Sequence, residues 1–283
     1  MAAPSDDAQG PLPPQPAPGD KSSGVREVKS AARTLELLEL LASRQNRPAR
    51  LRELTEALGV PRSSLYALLR TLTKHGWVRT DASGTMYGIG IRALLVGTSY
   101  LDTDPHLRIV KPVLDELGEK LDETFHFGRL DGFDVVYLAT RESSQYLRPY
   151  SRVGRRLPAY CTALGKALLA ERHGTELDRH VPEELAPSTP HTITGRDALA
   201  ADLDRTRERG HAVDIEENSL GLHCFGFALR YAPEGRPARD AISCSVPLAR
   251  LTPDREAEIV TAMREARARI ERGAPPITED MWV

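Results

Sequence analysis

The chain has 283 residues, 40% of them apolar and 28% charged, with a formal net charge of −2; this is ordinary soluble composition, with length enough for two domains. No apolar run approaches the ~18–20 residues of a membrane helix, and the acidic, proline-bearing start is no secretory signal. Three cysteines, Cys161, Cys224 and Cys244, make no disulfide framework and point to a reducing cytoplasm. The charge is uneven: residues 21–90 carry 12 Lys/Arg against 6 Asp/Glu, and residues 91–283 carry 26 against 31. A small basic module joined to a larger acidic one suggests a polyanion partner for the first.

Residues 1–24 hold Pro4, Pro11, Pro13, Pro14, Pro16 and Pro18 among Gly, Ser and Asp. Too few large apolar groups are present to offset the entropy of ordering, so a disordered tail is expected. From Val28 the apolar residues Val28, Ala31, Leu35, Leu38 and Ala42 recur at helical spacing. They predict a first helix over about 30–43, with Ser30 as its cap. The polar stretch from Arg44 to Arg50, with Pro48, breaks it. Leu51, Leu54 and Leu58 mark a short second helix stopped by Gly59. Pro61 is placed to begin a third, where its missing N–H would be unpaired anyway. That helix runs through Leu65, Leu68, Leu69 and Leu72 to about His75 and closes at Gly76. Trp77–Thr80 and Thr85–Ile89 then read as strands about an Asp81-Ala82-Ser83-Gly84 turn. A short helix, a tight turn, a longer helix and a hairpin together make a winged helix-turn-helix over residues 25–90.

At ~100° per residue, Ser63, Ala67, Arg70 and Lys74 lie opposite the leucine stripe of the third helix, with Ser64 and Tyr66 on the flanks. That face has no acid and is slender enough for a major groove ~12 Å wide. Arg62, Ser63, Ser64 and Tyr66 occupy the first turns, where recognition helices touch bases or backbone. Arg70 and Lys74 are expected on phosphates, and Arg79 with the Ser83–Gly84 tip on a neighbouring groove or backbone. One such helix reads few base pairs, so two copies on a pseudo-palindromic double-stranded operator are expected. The apolar stretch from Ile91 to about Leu101 predicts a linker helix, residues 91–104, that packs on a second chain. A homodimer follows, with pairing of dimers into tetramers left open.

Residues 105–274 alternate helix-like and strand-like runs, an α+β pattern around an antiparallel sheet. A helix near Leu107–Leu121 precedes strands at Phe125–Phe127 and Val135–Leu138 about the Asp131-Gly132 turn. Thr162 is a good cap for the next helix, and another spans about Asp197–Arg209. Strands near Phe225–Arg230 and Ala241–Pro247 flank the turn-forming Pro233-Glu234-Gly235. A last helix opens at Thr252-Pro253 and ends at Gly273, leaving residues 275–283 as a tail.

The chain resembles the IclR family of one-component transcription regulators, over nearly everything from Val28 to Gly273. The resemblance is carried in the first half by Ala31-Ala32-Arg33-Thr34-Leu35-Glu36-Leu37-Leu38, Leu58-Gly59-Val60-Pro61-Arg62-Ser63-Ser64-Leu65-Tyr66 and Tyr87-Gly88-Ile89-Gly90. In the second half it is carried by Val153-Gly154, the stretch from Cys161-Thr162-Ala163-Leu164-Gly165-Lys166 to Ala170, and the stretch from Arg209-Gly210-His211 to Glu217. Gly221-Leu222-His223-Cys224 and Ala241-Ile242-Ser243-Cys244-Ser245-Val246-Pro247 complete it. The resemblance implies a second domain similar to GAF and PAS sensors, with helices on the faces of a sheet and a ligand cavity on one side. It places Thr162, Ala163, Leu164, Asp214, Leu222, Cys224, Ser243 and Ser245 in the cavity wall. A helix start at Thr162 suits an anion, and Ser243 and Ser245, two apart on a strand, face one way. The effector is then expected to be a small organic acid, with an aromatic one suggested by Phe225 and Phe227. Two departures from the family pattern stand out. Ala67 replaces a longer polar residue on the third helix, and Phe225-Gly226-Phe227 replaces smaller residues, suggesting a reshaped pocket.

The rival reading is an enzyme acting on a small metabolite. Cys161, Cys224 and Cys244 with Asp214 or His223 would bind zinc, yet no two cysteines have C-x₂₋₄-C spacing. A Cys161/His223 nucleophile pair would draw on a helix N-terminus to lower the thiol pKa. No metal, cofactor or catalytic residue is therefore assigned. Repression and activation are both compatible with the sequence.

Overall fold

The computed structural model describes residues 28–44, 47–231 and 236–275. The proline-rich tail, most of the C-terminal tail and the Pro233-Glu234-Gly235 turn fall outside the described residues. The chain divides into two compact units, residues 1–103 and 104–283.

In the first unit, α1 (Lys29–Ser43), α2 (Leu51–Leu58) and α3 (Arg62–Lys74) are followed by a hairpin of β2 (Val78–Thr80) and β3 (Met86–Ile89). A strand β1 (Ala49–Arg50), too short to read from sequence, pairs with β3, giving a sheet of order β1-β3-β2. Leu37, Leu41, Leu54, Leu65, Leu69, Val78 and Tyr87 share one buried core. Gly59 ends α2 in the left-handed region, at φ 60°, which most side chains disfavour.

Two caps differ from expectation. Ser30 does not cap α1; Val28 does so from extended backbone, because its carbonyl already accepts the Ala31 and Ala32 N–H groups. Pro61 stands one residue earlier than expected, at the N-cap of α3, with ψ 134°. The linker forms as α4 (Ile91–Thr103), and none of its residues is buried within the chain.

The second unit is α+β. Its elements in chain order are α5 (Leu107–Leu121), β4 (Thr124–Asp131), β5 (Asp134–Arg141), β6 (Arg156–Pro158), α6 (Ala163–Leu169), α7 (Gly174–Asp178), α8 (Arg196–Arg209), β7 (Ala212–Ile215), β8 (Leu222–Leu229), β9 (Asp240–Pro247) and α9 (Pro253–Gly273). The strands form one antiparallel sheet of order β6-β5-β4-β9-β8-β7. The caps expected at Thr162 and Thr252 both form, accepting from Gly165 N–H at 3.1 Å and Arg255 N–H at 3.2 Å.

Strand alternation sorts the two faces of this sheet. Phe125 and Phe127 of β4 and Phe225 and Phe227 of β8 are all buried, with His223 stacked on Phe225 and His211 on Phe227. On the other face lie His126, Cys224, Ser243 and Ser245, under α6. Gly226 lets α6 approach: a Cβ there would stand 2.1 Å from the Ala163 carbonyl oxygen.

Candidate functional site

In α3 the leucines turn inward and the polar side outward. Leu65 and Leu69 are fully buried, whereas Arg62, Ser63, Ser64, Tyr66, Ala67, Arg70 and Lys74 are exposed. Among the described residues neither Arg62, Arg70, Lys74 nor Arg79 has an ion-pair or hydrogen-bond partner, so four cations stand free on this unit. Arg79 lies on β2 with its side chain over Gly88 of β3.

The hairpin tip is built on Asp81. Its carboxylate accepts the Thr85 and Met86 N–H groups at 2.8 and 2.9 Å and the Ser83 hydroxyl. These bonds, the Ser83 hydroxyl first, hold its pKa down at about 2. The Ser83 hydroxyl is therefore engaged within the turn, whereas the Arg79 guanidinium has no partner among the described residues.

In the second unit a cavity of about 470 Å³ opens between the sheet and α6. All eight wall residues that the resemblance implied line it: Thr162, Ala163, Leu164, Asp214, Leu222, Cys224, Ser243 and Ser245. Register explains the convergence. One cross-strand row runs Asp214, Cys224, Ser245, Thr124, and the next runs Gly226, Ser243, His126, Thr140. Within the first, the Cys224 thiol donates to Ser245 Oγ at 3.3 Å. Asp214 is buried, and its carboxylate accepts the Glu217 N–H at 2.8 Å. Burial, then the neighbouring Glu217, pushes its pKa up to about 7.

The wall also holds residues that sequence reasoning missed, among them His126, Tyr137, Arg148, Tyr150 and Arg155. His126 Nδ1 sits 3.2 Å from Ser151 Oγ and 3.3 Å from Thr140 Oγ1, and its ring stacks on Tyr137 at 4.4 Å. Burial depresses its pKa to about 3, so the imidazole is neutral. Phe225 and Phe227, in contrast, lie on the opposite face of the sheet and do not line the cavity. Strand alternation puts both with the α9 side, so they neither reshape the pocket nor speak for an aromatic ligand.

Behind Asp214 stands a buried ionic cluster. Lys166 of α6 is fully buried and donates to Asp202 Oδ2 at 2.7 Å and Glu217 Oε1 at 2.5 Å. Arg205 adds a second cation to Asp202 at 3.0 Å. Desolvation opposes ionisation of Asp202, but Lys166 and Arg205 outweigh it and lower its pKa. For Glu217 desolvation prevails and the pKa rises, in keeping with its Oε2, which is buried without a partner.

The cysteine chemistry expected of an enzyme fails on geometry. Cys161 Sγ lies against the Pro158 carbonyl at 3.8 Å and Ser188 Oγ at 3.7 Å, not against His223. Burial pushes its pKa up to about 12, the reverse of an activated thiol. Among the described residues no group of three His, Cys, Asp or Glu could hold a metal ion. Among them, too, no helix is long and apolar enough to cross a membrane.

A winged helix with an acid-free helix face, in one chain with an α+β unit that holds a cavity, is the layout of a DNA-binding transcriptional regulator. The profile of the IclR helix-turn-helix domain matches residues 30–82, and that of the bacterial transcriptional regulator IclR C-terminal domain matches residues 98–272. The chain belongs to the IclR family of transcriptional regulators. It is 33% identical over 235 residues to the transcriptional repressor IclR of Escherichia coli, covering 82% of this chain and 85% of that one. Among solved structures, a transcriptional regulator from Rhodococcus superposes with a TM-score of 0.71 at 29% identity, over 87% of this chain and 98% of that one. The Thermotoga maritima IclR does so with a TM-score of 0.64 at 28% identity, over the same shares.

Proposed function

We propose that the chain is a ligand-responsive regulator that binds an operator through α3 and the wing and reads a small organic acid in its cavity. The observation that carries this reading is the pairing of two surfaces. The exposed face of α3 has no carboxylate and two arginines unpaired among the described residues, and a separate unit holds a 470 Å³ cavity lined by convergent polar groups.

Arg62, Ser63, Ser64 and Tyr66 enter the major groove in this account, while Arg70, Lys74 and Arg79 neutralise phosphates. Thr162, Asp214, Ser243, Ser245 and Cys224 hydrogen-bond the effector, and Ala163, Leu164 and Leu222 grip its apolar body. Two copies meet through α4, whose Ile91, Leu94, Leu95, Val96 and Tyr100 are each at least 50% exposed in the single chain. A contiguous apolar helix of this kind calls for a partner, and a homodimer supplies it. The effector acts on DNA only as far as it binds one arrangement of the two heads better than another.

The test is selection of duplexes from genomic DNA on the full chain, then anisotropy titration with and without a thermal-shift ligand. Asp214→Ala or Ser243→Leu should abolish the ligand-induced thermal shift and leave duplex affinity intact. If both variants still respond to the ligand, the cavity is not the effector site. If no duplex is enriched, the regulator reading itself fails.

A further inference from the structure

Of the two arginines on the cavity wall, Arg148 and Arg155, one is unbalanced among the described residues. Arg148 has Glu142 as a partner at 3.3 Å, and Arg156, next to Arg155 in sequence, is clasped by Asp131 and Asp134 at 2.7 and 3.1 Å. Arg155 has no carboxylate within ion-pair distance among the described residues; its guanidinium donates only to the Tyr150 carbonyl. It is also held in place, since the Tyr137 N–H donates to the Arg155 carbonyl at 2.9 Å and the Gly154 N–H to the Tyr137 carbonyl at 2.8 Å. A half-buried guanidinium in a cavity wall, on a residue whose backbone is anchored and with no carboxylate partner among the described residues, suits an anion.

His126 completes that end. It is 2% exposed, lines the same cavity, and feels the charge of Arg155. Its Nδ1 is engaged by Thr140 and Ser151, and Nε2 has no partner among the described residues. In the tautomer whose Nδ1 accepts from one of these hydroxyls, the neutral imidazole carries its proton on Nε2 and is a donor for an anion.

The opposite end has the reverse character. Asp214, backed by Glu217, would repel a carboxylate once ionised, and its neighbours Ser245 and Cys224 offer neutral hydrogen bonds. The cavity is therefore electrostatically polarised from Arg155 to Asp214.

We propose that Arg155 and His126 hold the carboxylate of the effector, and that the effector is a hydroxy acid whose hydroxyl group, at its far end, meets Asp214. The assignment rests on the reading that the cavity binds a small acid, and it fixes both the ligand class and the direction in which the ligand lies. Arg155 sets specificity for acids over their neutral derivatives. Asp214 sets specificity for the hydroxyl.

The experiment uses the full chain and a matched panel: straight-chain ω-hydroxycarboxylates of three to eight carbons, 3- and 4-hydroxyphenyl carboxylates, their methyl esters, and the acids lacking the hydroxyl. Binding is measured by calorimetry, and the His126 ring is followed by NMR of histidine-labelled protein. Acids of one length should bind and shift the His126 ring signals, with esters at least tenfold weaker. Arg155→Gln should weaken the acids at least tenfold and leave the esters unchanged, whereas Arg155→Lys should restore part of the loss; thermal melts confirm that both variants fold. Removing the hydroxyl should weaken binding to wild type at least tenfold, and equal binding of the acids with and without it overturns the hydroxyl assignment. Equal binding of acids and esters, or undiminished acid binding in Arg155→Gln, overturns the proposal. If esters alone bind, the cavity remains a sensor and only the anion assignment falls. If neither acids nor esters bind, the cavity reading falls with it, while duplex binding, measured in parallel, judges the regulator reading separately.

Discussion

Replacing Lys166 with methionine removes the cation shared by Asp202 and Glu217 and leaves the volume nearly filled. Glu217 then has no positive partner, in a site where its Oε2 is already unpaired, and Asp202 keeps only Arg205. Breaking a buried ion pair from one side costs about 3–5 kcal/mol. For a unit of this size each kcal/mol lowers the melting temperature by about 2–4 °C, so a fall of about 6–20 °C is expected. The pH dependence supplies a second check. Burial already raises the pKa of Glu217 against the pull of Lys166, so losing that cation raises it further, and an acid with a raised folded pKa loses stability as pH climbs through its unfolded value toward its folded one. The deficit should therefore be smaller at pH 5 than at pH 8 in calorimetric melts. A variant that melts with wild type, or a deficit independent of pH, would refute the claim that this cluster is a dry ionic core. Because Glu217 donates its N–H to Asp214, the same variant should also weaken effector binding.

Arg62→Ala and Tyr66→Ala should each weaken duplex affinity several-fold in gel-shift assays and leave the melting temperature within about 2 °C of wild type, since both side chains are exposed. Duplex affinity should fall steeply with salt as phosphate contacts release counterions; a flat salt response would speak against the free cations of α3. Asp214→Asn should remove a slope of stability with pH. The wild-type carboxyl stands near 7, raised mainly by burial, so stability should decline from about pH 4 to pH 7 in wild type and stay level in the variant. Gly226→Ala should force α6 away from β8, because the new Cβ would meet the Ala163 carbonyl oxygen at 2.1 Å. Overpacking of this kind costs about 1–3 kcal/mol, and unchanged melting with unchanged effector binding would count against the close approach.

The winged helix was legible because its signals are local: a leucine stripe of helical period, Gly59 and Gly76 as stops, and turn residues between short strands. What escaped was either too short or too dispersed in sequence. The two residues of β1 carry no periodicity, and Arg156–Pro158 and Ala212–Ile215 are short edge strands beside loops. The cavity residues known from the resemblance were nameable in advance, but His126 and Arg155 were not. His126 reaches the cavity only because β4 pairs with β9 in the register that sets it beside Ser243. Phe225 and Phe227 were misplaced for the same reason, since one step of strand alternation moves a side chain to the other face. The Lys166 cluster joins residues 36 and 51 positions apart, a separation at which sequence pattern is silent.

On the proposed function, the outward face of α3 lies against DNA while the cavity of the other unit sets its occupancy. Hydrogen–deuterium exchange of the full chain with a selected duplex tests it most directly. Exchange should slow across residues 61–75 and the 79–85 hairpin on adding the duplex, and in β8 and β9 on adding an effector. Protection confined to other segments, with α3 exchanging as it does in the free chain, would contradict it.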